Sequence, residues 1–232
     1  MVQNKPQAEK DPEVAIASAI GRVEAFIMRN SRSLLTALGG VIIVVGGFFG
    51  YKYLVAVPRM EKASAMMFAA EQQFAQDSFK LALNGDGNFA GFLQVIEKYG
   101  STGTGNVARH YAGICYLRLG QYQEALDYLT QYKGSTDDVP SALLAAQNYG
   151  LRGDVYVQMG DYAEAAKSYE KAVATSSDPL TAPYYLKKAG EVYEKLGDNA
   201  KALAAYEAVE VDYPTSMEAR DIQKYIGRIQ QQ

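Results

Sequence analysis

Gly120-Gln121-Tyr122-Gln123-Glu124-Ala125, Gly160-Asp161-Tyr162-Ala163-Glu164-Ala165 and Gly197-Asp198-Asn199-Ala200-Lys201-Ala202 are three versions of one hexad. A second glycine and a tyrosine precede each at fixed distances: Gly113 and Tyr116, Gly153 and Tyr156, Gly190 and Tyr193 stand seven and four residues before the hexad glycine. Spacings of three, four and seven return to one helix face, so Gly-x-x-Tyr puts a small residue where two helices cross and an aromatic beside it. Ala125, Ala165 and Ala202 supply the close-contact point on the second helix, and Leu129, Tyr169 and Tyr206 follow one turn later to fill the gap. The predicted unit is a helix-turn-helix repeated three times, each copy burying its apolar face against its neighbours.

This pattern resembles the tetratricopeptide repeat, which implies an all-α solenoid. The first large aromatic slot of that family holds Arg109, Tyr149 and Leu186 here, the chain has no Trp, and Asn199 replaces the turn aromatic in the third copy. Steps of 40 and 37 residues, from Gly113 to Gly153 and on to Gly190, exceed the usual 34 or so. Insertions are therefore expected near Lys133-Gly134-Ser135-Thr136-Asp137-Asp138 and Ser176-Ser177-Asp178-Pro179. Pro214 closes the third unit, and Thr215 or Ser216 is expected to cap a final helix whose apolar face is Ala219, Ile222, Tyr225, Ile226 and Ile229. A solenoid needs such a cap, with a solvated outer face. Upstream, residues 61–83 read as one long helix and 89–99 as a shorter one, joined by Asn84-Gly85-Asp86-Gly87-Asn88, which lacks the spacing and terminal Glu of a calcium loop. Met60, Met66, Met67, Phe68 and Phe74 on the first of these helices read as core.

Nearer the N-terminus, residues 34–51 are an uncharged, largely apolar run of 18 residues. At about 1.5 Å per residue the run is roughly 27 Å long, and continuing through Val57 it crosses a hydrocarbon core with some tilt. Lys52 would snorkel to the headgroups beside Tyr51 and Tyr53. The reading taken is a retained single-span anchor; its rivals are a cleaved secretory signal and a buried soluble helix. Gly39, Gly46 and Gly50 share one face of the span and would let another membrane helix approach closely, although glycine is frequent in membrane helices anyway. Before the span, Asp11-Pro12-Glu13 reads as a helix start, and Ile16, Ala19, Ile20, Val23, Phe26 and Ile27 recur at helical spacing, giving an amphipathic helix ending at Arg29 and Arg32. Basic residues on the two sides of the span balance, so charge does not orient it; the basic leader favours a cytoplasmic N-terminus. The expected domains are thus a tail at 1–33, the anchor at 34–57, a neck and divergent hairpin at 58–105, three repeats at 106–214 and a capping helix at 215–232.

Twenty-three basic against 26 acidic residues, for a net charge of −3, leave no basic field for nucleic acid. The single cysteine, Cys115, excludes an internal disulfide and reads as a buried thiol. No Gly-x-Ser-x-Gly, His-Glu-x-x-His or phosphate-cradling glycine loop occurs, and His110 is the only histidine. The expectation is a non-enzyme without metal or cofactor. What a solenoid offers is a concave surface. The repeat frame puts Val107, His110, Ile114, Leu117 and Arg118 of the first copy there, then Gln147, Leu151, Asp154 and Gln158 of the second, and Tyr184, Lys187, Glu191, Glu194 and Lys195 of the third. His110 reads either as a surface histidine or as a groove contact. Family members that bind chaperone tails use a Lys-Asn carboxylate clamp, and Glu191 stands here where the Asn after Lys187 would be, which argues against capture of an acidic C-terminus.

The layout of anchor, helical neck and small repeat array resembles the YfgM-like proteins of bacterial inner membranes. The stretch Phe74-Ala75-Gln76-Asp77-Ser78-Phe79, through Asn84-Gly85-Asp86-Gly87-Asn88, to Tyr111-Ala112-Gly113-Ile114-Cys115-Tyr116-Leu117 is similar to the members found in Bacteroidetes. The resemblance implies an ancillary subunit of the SecYEG translocon, its array in the periplasm, working beside a PpiD-like chaperone on secreted chains. Two other classes stay open: a cytoplasm-facing scaffold for envelope biogenesis and an organellar import receptor for presequences. The cytoplasmic lipopolysaccharide-assembly scaffold of similar layout carries a Cys-x-x-Cys module, and an outer-membrane lipoprotein needs a lipidated cysteine; this chain has neither.

Overall fold

The computed structural model describes residues 12–231. The Asp11 helix start, the rest of residues 1–11 and the terminal Gln232 lie outside the described residues. The chain divides into two compact units, Met1–Pro58 and Arg59–Gln232. Every described residue in regular structure is helical.

The first unit holds α1 (Pro12–Tyr51), which passes into a five-residue π-helical turn at Lys52–Ala56. Two separate segments were expected here, an amphipathic helix ending at Arg29 and Arg32 and then an anchor. Instead α1 runs unbroken across that point. Residues 22–38 contain no proline or glycine to interrupt it, and Asn30 and Thr36 return their side chains to the backbone carbonyls of Phe26 and Ser33, at 3.0 and 2.9 Å. By length and composition this helix is apolar and long enough to cross a membrane, and none of its most apolar stretch is buried within the chain.

The second unit takes up α2 (Val57–Ala75) from Arg59 onward and continues with α3 (Phe79–Asn84) and α4 (Phe92–Tyr99). The long helix expected over 61–83 is therefore broken. Asp77 sits at a φ of 56°, and the amides of Asp77 and Ser78 turn back to the carbonyls of Phe74 and Gln73, ending α2 before Phe79 restarts the helix. Phe74, Phe92 and Tyr111 meet edge-on and stacked, with ring centroids 5.1–6.2 Å apart, and fasten this divergent hairpin to α5 (Gly103–Arg118). Of the α2 residues expected in the core, Met67 is buried and Met66 and Phe74 pack against it. Met60 and Phe68 instead face outward, 47% and 60% exposed.

Three helical hairpins follow: α5 (Gly103–Arg118) with α6 (Tyr122–Gln131), α7 (Val139–Met159) with α8 (Tyr162–Thr175), and α9 (Ala182–Leu196) with α10 (Asn199–Asp212). The hexads are their turns. Gly120, Gly160 and Gly197 take the left-handed conformation at φ 76°, 79° and 73°, where a Cβ is costly. The amide of the next residue then reaches back to Tyr116, Tyr156 or Tyr193, each at 2.9 Å. Asp161 and Asp198 cap the second helices by accepting from the amides of Glu164 and Lys201.

The paired glycines mark where the two helices of a hairpin touch. A Cβ at Gly113 would lie 2.5 Å from Leu129 Cγ, one at Gly153 2.5 Å from Tyr169 Cε1, and one at Gly190 2.3 Å from Tyr206 Cε1. Leu129, Tyr169 and Tyr206 are at most 2% exposed. Part of the long first step is extra helix: α7 begins 14 residues before Gly153, whereas α5 begins 10 before Gly113. The remainder is the 132–138 loop, tied down where Asn106 exchanges two hydrogen bonds with the backbone of Lys133. The capping helix α11 (Ala219–Gln230) buries Ile222, Ile226 and Ile229, and Ser216 Oγ accepts from the Ala219 amide at 3.1 Å.

Because Tyr169 fills the space opposite Gly153, Gly153→Leu in the Arg59–Gln232 unit should destabilise it by about 1 to 3 kcal/mol. Thermal unfolding checks this; an unchanged melting temperature would mean that the crossing tolerates a side chain.

Candidate functional site: the concave face

The first helices of the three hairpins, α5, α7 and α9, line a groove of about 710 Å³. Leu117 and Arg118 contribute from α5, Leu151, Asp154 and Gln158 from α7, and Tyr184 and Glu191 from α9. Those sequence-predicted residues are therefore brought together. The repeat frame missed Tyr122 and Tyr162 at the hexad turns and Lys188 on α9, which also face the groove. The recurrent hexad aromatic was the available signal for the two tyrosines.

Lys195 lines this groove too, whereas Val107, His110, Ile114, Gln147, Lys187 and Glu194 do not; the predicted residues divide further by what their polar ends do. Asp154 accepts from Tyr169 Oη and Lys188 Nζ, both at 2.6 Å, so it joins α7, α8 and α9. Burial works against the Lys188 charge, but Asp154 and Tyr184 outweigh it and raise its pKa. Burial and the neighbouring Asp154 raise the Tyr169 pKa, keeping it a hydrogen-bond donor. Glu194 repeats the device one hairpin later, accepting from Tyr206 Oη at 2.5 Å and from Arg228 of α11. Burial opposes the Glu194 charge, yet Arg228 and Tyr206 hold its pKa below the usual range. Lys187 bonds both oxygens of Asp221 at 2.8 and 2.9 Å and lies over the Tyr225 ring. Asp154, Lys187 and Glu194 thus join neighbouring helices and the cap, a role the repeat frame does not assign them. Arg118, Gln147, Gln158, Tyr184 and Glu191 are exposed, and Ile114 and Leu117 are half-buried. Although Glu191 reaches solvent, the helices packed around its carboxylate desolvate it in part, and this raises its pKa against the pull of Lys187 and Lys188.

His110 departs from both of its expected readings. It is 1% exposed, with Asn148 Nδ2 3.2 Å from its Nδ1 and the rings of Tyr111 and Tyr132 at 5.9 and 5.5 Å. The cause is the long α7 and the loop before it, which cover this turn of α5. Burial pulls its pKa down to about 4, opposed in part by Gln147, so the ring is neutral at pH 7 and belongs to the core. Cys115 is likewise buried, its thiol pushed up to about 12 by burial. No group of three His, Cys, Asp or Glu among the described residues is placed to hold a metal ion. On α1, nothing lies within 4 Å of where a Cβ would stand at Gly39, Gly46 or Gly50.

A stack of helical hairpins whose first helices line a concave face, closed by a terminal cap, defines an α-solenoid of the peptide- and protein-binding kind. Tetratricopeptide repeat family models match residues 106–178 and 151–219. The solved structures that the chain resembles include the crystal structure of MamA protein, with 17% identity and a TM-score of 0.56 over 74% of this chain and 82% of that one. Another is a putative kinesin light chain from Podosopora anserina with nearly identical TPR-like repeats, with 16% identity and a TM-score of 0.56 over 73% of this chain and 86% of that one. At such identities the likeness concerns the fold. No curated protein matches the chain.

Since unfolded histidine titrates near 6.5 and folded His110 near 4, the unfolded chain takes up a proton first as pH falls. Stability from this site is full above about pH 6.5 and declines as pH drops towards 4. Denaturant unfolding of the Arg59–Gln232 unit should show that slope, and His110→Gln should flatten it; an equal slope in the variant would place its origin elsewhere.

Proposed function

We propose that the chain is a membrane-anchored, non-enzymatic scaffold that binds partner proteins along the concave face of its repeats. The observation that carries this reading is the continuous groove on α5, α7 and α9, whose exposed residues are left over once Asp154, Lys187 and Glu194 have been used to join the hairpins. Large, adaptable polar and aromatic ends such as Tyr184, Gln158 and Arg118 suit recognition of a peptide or a protein surface. Chemistry needs an oriented acid, base or nucleophile, and the buried, neutral His110 and raised Cys115 thiol offer none to the groove.

The particular setting follows from the resemblance to YfgM-like proteins: a single-pass protein of the bacterial inner membrane, with a cytoplasmic N-terminus and periplasmic repeats. In that setting it is an ancillary subunit of the SecYEG translocon, acting with a PpiD-like chaperone on secreted clients. The long apolar α1 supports the anchor, and the glycine face at Gly39, Gly46 and Gly50 is the surface on which a partner's membrane helix would pack.

Two outcomes are expected. Protease added to spheroplasts should digest the repeats; protection until the inner membrane is lysed would overturn the periplasmic setting and leave the cytoplasm-facing scaffold. Arg118→Ala with Tyr184→Ala and Glu191→Ala should cut co-purification of SecYEG or the chaperone in mild detergent at least tenfold while moving the melting temperature by only a degree or two, because exposed polar ends contribute little to stability. Undiminished co-purification would remove the groove from the interaction.

A further inference from the structure

The unbroken α1 carries a pattern that neither the anchor nor the groove accounts for. Ile16, Ile20, Val23, Ile27, Asn30 and Leu34 are spaced four, three, four, three and four residues apart. The same alternation runs on through Ala37, Val41, Val44, Phe48 and Tyr51 without a slip. From Ile16 to Leu34, where charged residues fill the other faces, this is the a and d spacing of a coiled coil, a 3.5-residue period, whereas a helix lying on one apolar surface follows 3.6; beyond Leu34 nearly every position is apolar and the same frame simply remains open. No charged residue falls in the seam. On the water-facing part, Ile16, Ile20, Val23 and Ile27 are 50–59% exposed.

We infer that α1 is the seam of a parallel homo-oligomer, its a and d residues packing against the same residues of further copies of this chain. Continuity excludes the simplest alternative. Residues 12–33 extend α1 by about 33 Å at 1.5 Å per residue beyond the apolar run, and without a kink they project from a spanned bilayer instead of lying on its surface. Their apolar stripe then needs a protein partner. A second copy meets the requirement because a heptad seam is self-complementary: a faces a and d faces d, and copies inserted in one membrane in one direction are already parallel and in register. Asn30, the single polar seam residue, would meet its counterpart and fix that register. The area is sufficient. With roughly 100 Å² for each half-exposed aliphatic and about 150 Å² for each aromatic, the seam presents about 1,000 Å² per copy, about 400 Å² of it on Ile16, Ile20, Val23 and Ile27 and the rest available for side-chain packing within the apolar run, against the roughly 800 Å² per partner of a standard interface. Gly39 and Gly46 occupy the heptad position opposite the seam, so self-association leaves the glycine face open to a different partner.

The test is a cysteine scan of the full-length chain in its membrane, one position at a time from Ile20 to Ser33, with copper phenanthroline as oxidant. The chain with its buried Cys115 alone is the baseline. Disulfide-linked dimers should form at Ile20, Val23, Ile27 and Asn30 at least fivefold more than at Ala25 and Arg32, and Ile20→Glu with Ile27→Glu should abolish cross-linking from Val23→Cys. No dimers at any position, dimers at every position alike, or a maximum at Ala25 and Arg32 would each overturn the inference.

Discussion

Everything in the Arg59–Gln232 unit depends on how closely two helices approach at Gly113, Gly153 and Gly190. The Cβ positions there are occupied by Leu129 or by the rings of Tyr169 and Tyr206, so each hairpin closes as a small backbone face on a large side chain. The ring does more than fill space. Its hydroxyl reaches past the crossing to a carboxylate on the first helix, Asp154 or Glu194, and that carboxylate also takes a cation from the next hairpin or the cap, Lys188 or Arg228. Hairpin closure and hairpin stacking are therefore one linked network. In the first hairpin Leu129 has no hydroxyl, and aromatic packing around Phe74, Phe92 and Tyr111 serves at that end.

This arrangement divides the concave face into polar groups spent on holding its curvature and polar groups presented outward. Tyr184 illustrates the division: its ring stands over Lys188, 4.7 Å from the ammonium, yet it remains 42% exposed, so a rigid internal pair holds a recognition surface in place. Preorganised aromatic ends of this kind lose little rotational freedom on binding.

The hairpins, their turns and the cap were legible in the sequence because each is a local signal: a left-handed glycine, an aspartate cap, a paired glycine and tyrosine. The break at Asp77 was not, since a single non-glycine residue with positive φ has no compositional mark. The place of His110 was missed for a related reason. Which turn of α5 is covered depends on the length of α7 and on a loop fastened by Asn106, both distant in sequence. The repeat frame could not separate Glu191, which lines the groove, from Lys187 and Glu194, which bond to Asp221, Tyr206 and Arg228; those partners sit on α10 and α11. The continuity of α1 was obscured by a change of composition near residue 33, which is not accompanied by any break in the backbone.

The central claim is that partners are held by the concave face. Site-specific photo-cross-linking in living cells tests it most directly, with a photoreactive side chain placed at Gln158 or Tyr184 in the groove and at Lys167 or Glu207 on the second helices. Discrete adducts to a protein partner from the groove positions, and none from α8 or α10, are the predicted result. Adducts from the second helices alone, or with equal yield from both faces, would contradict it.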